Sequence, residues 1–152
     1  MAVNWKIRDV LGIAPEAMIV LSASAIVNAD LCSHDTTVNA IKAWDGTDAD
    51  RLVGWHFGDA VTGAGSALGT GAQVYARITR GGFTVIDLTV TGLNTTTPAL
   101  HFGAKVFASD KDSYTLVSTG NNVVGSVIAN RVGCTATTTA NVYMNDVYGT
   151  VS

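Results

Sequence analysis

Apolar and polar residues alternate with a period of two along most of the chain. From Ile19, the residues Ile19, Leu21, Ala23 and Ala25 fall on one face and Ser22 and Ser24 on the other, the pattern of a strand with one side turned to a core. The same alternation returns at Gln73 to Thr79 and at Ile86, Leu88 and Val90, where Asp87, Thr89 and Thr91 take the opposite face. Between such runs stand turn residues: Asp45-Gly46-Thr47-Asp48, a Gly-rich loop from Gly63 to Gly71, Gly81-Gly82 and Asn94-Thr95-Thr96-Thr97-Pro98. Further strands are predicted at Val38 to Trp44, Leu52 to Val61, Lys105 to Ala108, Tyr114 to Val117, Val123 to Ile128 and Asn141 to Val147, about nine in all.

The start of the chain differs. Ile7, Val10, Leu11 and Ala14 have helical spacing, with Asn4 as an N-cap and Gly12 and Pro15 as stops, which predicts a short helix or ordered arm over residues 1–15. A single β-domain then covers residues 16–152. Strands at close spacing without intervening helices favour an all-β sandwich or barrel over a βαβ fold. A weak duplication divides it into two similar β-units: Leu52-Val53-Gly54 and Gln73-Val74-Tyr75 recur as Val123-Val124-Gly125 and Asn141-Val142-Tyr143. Each is preceded by a comparable lead-in, Ala40 to Asp45 and Ala104 to Asp110.

Composition supports the class. Val and Thr, whose β-branched side chains suit a pleated surface, number 19 each in 152 residues. Charged residues make up only 14%, so either part of the surface is covered in the working state or the exterior is neutral and rich in Thr and Gly. The net charge is −3 and the nine Lys and Arg are scattered, which disfavours nucleic acid. No apolar run is long enough to span a bilayer as a helix. Ala17 to Val27 imitates a signal-peptide core, but Asp9 and Glu16 spoil the basic leader. Cys32 and Cys134 read as reduced thiols of a cytoplasmic setting, with one long-range bridge as the alternative.

Candidate chemistry is thin. The Gly63–Gly71 loop lacks the Lys of a phosphate loop and has Leu68 where a dinucleotide fingerprint needs Gly. It reads instead as a flexible β-β connection that can also serve as an interaction surface, with Gly65, Ser66 and Leu68 as candidate interface residues. Asp45, Asp48 and Asp50 lack the spacing of a calcium loop, and His34, His56 and His101 lack that of a zinc site. No metal, cofactor or catalytic residue is assigned, and an enzyme is not expected. Trp44 and Trp55 flank a turn and offer a sugar-stacking platform, against their reading as core or interface anchors.

The segment Gly103-Ala104-Lys105-Val106-Phe107-Ala108, then Ser118-Thr119-Gly120-Asn121-Asn122-Val123-Val124-Gly125, then Asn141-Val142-Tyr143 resembles the C-terminal half of the capsid-cement or head-decoration proteins of tailed bacteriophages and prophages. The resemblance covers some 45 residues. It implies a structural virion protein on the capsid exterior, made in the host cytoplasm. Its partners would be the major capsid protein and itself, commonly as a trimer, with neither nucleic acid nor membrane. The apolar stripe Trp5, Ile7, Val10 and Leu11 at the chain's start is then the expected contact element. A tail-tube or fibre subunit and a carbohydrate-binding β-sandwich are the alternative readings.

Overall fold

The period-two stretches do form strands, though more and shorter ones than the alternation suggests. A computed structural model describes residues 6–10, 15–21, 24–35, 39–46, 50–63 and 73–150. The strands are β1 (Lys6–Val10), β2 (Glu16–Ile19), β3 (Ala25–Ile26), β4 (Leu31–His34), β5 (Ile41–Ala43), β6 (Arg51–His56), β7 (Val61–Thr62), β8 (Tyr75–Thr79), β9 (Phe83–Thr89), β10 (Lys105–Asp110), β11 (Ser113–Thr115), β12 (Asn122–Val127) and β13 (Thr139–Met144). A 3₁₀ turn, Pro98–His101, is the helical element among the described residues. The fold is all-β.

Of the short helix or ordered arm expected over residues 1–15, the described residues Lys6–Val10 form a strand paired antiparallel with β9 and no helix. The spacing of Ile7 and Val10 has another cause. Ile7 registers with Val85 and Val10 with Phe83, with a register shift between Ile7 and Asp9 that leaves Arg8 unpaired. An extra residue in a strand brings positions three apart onto one face, and so imitates helical periodicity.

Two sheets share one wiring. The first has the order β2-β8-β6-β4-β5, and Val20 makes a parallel bridge to Ile41 that joins its two ends. The second has the order β9-β13-β12-β10-β11 with β1 added outside β9, and Thr91 makes a parallel bridge to Thr115. Counting strands within each unit and setting aside β1 and the small β3-β7 ribbon, both run first, fifth, fourth, second, third. Both curl until the first and third strands touch. The repeated Val-Gly lies at the same place in each. Leu52 and Gly54 pair with Ser33 and Cys32, leaving Val53 as an extra residue, while Val123 and Gly125 pair with Phe107 and Val106, leaving Val124. The duplication read at Val53-Gly54 and Val124-Gly125 is therefore a matching bulge on the fourth strand. The lead-ins do not correspond: Ala40 to Asp45 holds a third strand, β5, and Ala104 to Asp110 a second strand, β10.

The units are fused by a common core. Val20, Ile26, Cys32, Ile41, Val53, Ala76 and Ile78 fill the first unit. Leu31, Trp44, Leu52 and Trp55 leave the other faces of its strands and join Phe83, Val85, Val106, Tyr114, Val124 and Val142 of the second. β4 and β6 are thus buried on both sides. Trp55 donates its indole N–H to the Tyr114 hydroxyl at 2.9 Å and meets the Phe83 ring edge-on at 5.2 Å.

The bulge glycines are required by space. A methyl on Gly54 would strike the backbone at Thr79 and Arg80, and one on Gly125 the carbonyl of Tyr143. Gly54→Ala and Gly125→Ala should each lower stability by about 2–3 kcal/mol, a fall in thermal midpoint of roughly 5–10 °C. Gly120, whose φ is +72° but which has open space around it, is the control. Gly120→Ala should cost only about 1 kcal/mol.

Candidate interaction surface

Several polar groups capable of chemistry hold the fold together. Asp30, only 1% exposed, accepts the Val27 N–H at 3.0 Å and pairs with Lys111 at 3.0 Å across the two units. Burial works against the Lys111 ammonium, but the Asp30 hydrogen bond and charge, with Asp112 and Asp110, outweigh it and raise the lysine above its usual value. His56 is buried on β6; the Arg77 N–H donates to its Nδ1 at 3.1 Å, so its Nε2–H is the donor to the Asp59 carbonyl at 2.8 Å. That fixes the tautomer and closes the 57–60 turn. Burial pushes the Cys32 thiol up, with Asp30 adding to the effect, and Cys32 and Cys134 are not bridged. Asp45 and Asp50 both reach Lys42, at 3.2 and 2.8 Å, and the Asp50 contact leads in raising that lysine. Among the described residues no group of three His, Cys, Asp or Glu could hold a metal ion.

Of the residues singled out from sequence, Ile7 and Val10 lie on β1, an edge of the six-stranded sheet. Trp5, Leu11, Gly65, Ser66 and Leu68 fall outside the described residues, as does Asp48. Trp44 and Trp55 are both buried, so neither offers a face to a sugar.

What is exposed instead is a set of apolar side chains that sequence reasoning passed over, and most of it belongs to the second unit. Leu100 and Val132 are 71% and 68% exposed; Phe102, Val117, Val123 and Tyr143 are also exposed. The bulge at Val124 separates Val123, outside, from Val124, inside, which two adjacent valines do not announce. Leu100 and Phe102 stand in and just after the 3₁₀ turn begun by Pro98, where an apolar residue has no strand partner. The residues of the Gly103–Tyr143 resemblance occupy three adjacent strands here, β10, β12 and β13.

A cleft opens on the first unit. It has a volume of about 290 Å³ and lies between Ala17–Ile19 of β2 and Asn39–Ile41, with Val53 and Tyr148 among its lining residues. The Arg80 guanidinium stacks 4.3 Å from the Tyr148 ring centre and pairs with Glu16 at 3.8 Å and Asp146 at 3.2 Å.

Set against known proteins, no family model matches the chain and no curated protein matches it.

Exposed apolar side chains that serve no core should be dispensable for folding. Leu100→Ser and Val132→Ser should each leave stability within about 0.5 kcal/mol of the parent in urea unfolding. Lys111→Met, which leaves the Asp30 carboxylate buried without its cation, should cost about 3 kcal/mol, the low end for breaking a buried pair because Lys111 is partly solvated. A raised lysine stabilises in full below its unfolded value of 10.5 and loses that contribution as pH climbs through the folded value. The difference between parent and Lys111→Met should therefore stay level from about pH 7 to 10 and shrink above it.

Proposed function

We propose that the chain is a capsid-cement protein that binds the outer face of a tailed-phage shell, as a homo-oligomer, and stabilises it. The observation that carries the reading is the apolar surface of the second unit, where Leu100, Phe102, Val117, Val123, Val132 and Tyr143 stand in solvent. Large apolar side chains left in solvent in this number on one unit are candidates for contact with a partner. The resemblance of Gly103–Ala108, Ser118–Gly125 and Asn141–Tyr143 to decoration proteins falls on that same unit.

The physics of such a role is modest per copy. A cement has to offer area and shape, and many copies make individually moderate interfaces strong. A chain with 14% charged residues and a net charge of −3 suits close contact on the exterior better than a DNA-facing wall. The major capsid protein is the proposed partner, and the virion exterior the proposed location.

The deciding experiment is co-sedimentation of the purified chain with empty shells assembled from a major capsid protein whose gene is found beside its own. Saturable binding that raises the temperature of shell dissociation is expected, together with weakened binding by Leu100→Ser and Val132→Ser. A chain that leaves the shell pellet unchanged, or whose gene has no capsid gene beside it, would overturn the reading.

A further inference from the structure

Two basic side chains stand opposite one another at the mouth of the first unit. Arg51 opens β6, His34 closes β4, and the two are paired directly across the strands. Residues so paired share one face of a sheet, with their Cβ atoms about 5 Å apart. Ile41 of β5 is His34's partner on the other side, so Arg51, His34 and Ile41 form a row. The row faces the first unit's interior, because Cys32, two residues before His34, and Val53, two after Arg51, both belong to that unit's core.

The space in front of this row is open. A second cavity of about 250 Å³ adjoins the 290 Å³ cleft, and His34, Val53 and Tyr148 line both, so the two make one trough. Its floor is apolar: Val53 and Ile41 are buried, and Met18 is half-buried. At the Arg51 end the basic groups are unspent. The His34 ring makes no hydrogen bond to the described residues, and the Arg51 guanidinium makes one, a long contact of 3.5 Å to the Gly149 carbonyl. Among the described residues no carboxylate pairs with either, since Glu16 and Asp146 are drawn to Arg80, and Asp50, beside Arg51, to Lys42.

We infer that this trough is a binding site for a small carboxylate with an apolar body, its head held between Arg51 and His34 and its chain lying over Val53 and Ile41 toward Met18. The pair favours an anion, because basic side chains set directly opposite disfavour each other until a negative group stands between them. A guanidinium fork matches the planar, two-oxygen geometry of a carboxylate. The floor selects against a bare anion, which would leave Val53 and Ile41 uncovered. From Arg51 to Ile41 is two strand spacings, about 10 Å, which a chain of octanoate length spans. Mostly apolar walls with a few placed polar groups, at the mouth of a curled sheet, are the usual make-up of a small-molecule site. The inference concerns the first unit and does not rest on the shell reading.

The test is titration of the isotope-labelled chain with octanoate below its micelle concentration, followed by NMR. Saturable shifts at His34, Ile41, Arg51 and Val53 are expected. Octanamide, with the same tail and no charge, should bind about tenfold more weakly or worse, the worth of a hydrogen bond to a charged group. Acetate, the head without the tail, should not saturate. Arg51→Gln, a change on an exposed side chain, should bring octanoate down to the level of octanamide while the thermal midpoint of the free chain holds. Octanoate and octanamide binding alike, undiminished binding by Arg51→Gln, shifts gathered at Leu100 and Phe102 instead of the trough, or no saturation would each overturn the inference.

Discussion

Trp55 must be enclosed from two directions at once, and the architecture follows from how that is achieved. Its strand lines the interior of the first unit through Val53 and sends Leu52 and Trp55 the other way, into the second. The indole N–H cannot be left unpaired in such a place without a cost of about 1–3 kcal/mol, and the Tyr114 hydroxyl meets it at 2.9 Å. Burial in turn pushes the Tyr114 hydroxyl far above its ordinary value, so it stays protonated and neutral. The β10–β11 hairpin that carries Tyr114 also carries Lys111, which compensates Asp30. One hairpin thereby satisfies the two buried polar groups that joining the units would otherwise strand.

The same economy explains the bulges. In each unit an extra residue in the fourth strand changes the phase of its faces along its length. Val53 and Val124 supply it, and the glycine after each lets the fifth strand approach closely. A further bulge, on β9, has Asp87 in a left-handed conformation, φ 64°, with its carboxylate gripped by the N–H and hydroxyl of Thr135. Polar residues that looked idle in the sequence are fastening irregular backbone.

Class was legible because alternation survives wherever a strand is regular, as in β8. Bulges defeat it. At Arg8 one made a strand imitate a helix, and at Asp87 one shifts the phase so that Val85 and Leu88 are buried and Ile86 only half so. β4 was missed for a different reason: Leu31, Cys32 and Ser33 are all buried, so nothing alternates. Val-Gly pairs were a sound sign of repetition because they encode backbone geometry, whereas the Ala-rich lead-ins encode only composition. The exposed surface was least legible. Whether Val123 or Val124 faces solvent is decided by a register that appears only when β12 meets β10.

A shared core also has a temporal side. Trp55 and Tyr114 are separated by 59 residues, and Asp30 and Lys111 by 81. Contacts so distant in sequence close late and slowly. During synthesis the first unit emerges with Leu31, Trp44, Leu52 and Trp55 facing outward and nothing yet made to cover them. A first half standing alone would therefore expose, along the face that becomes its centre, apolar surface that only the second half covers.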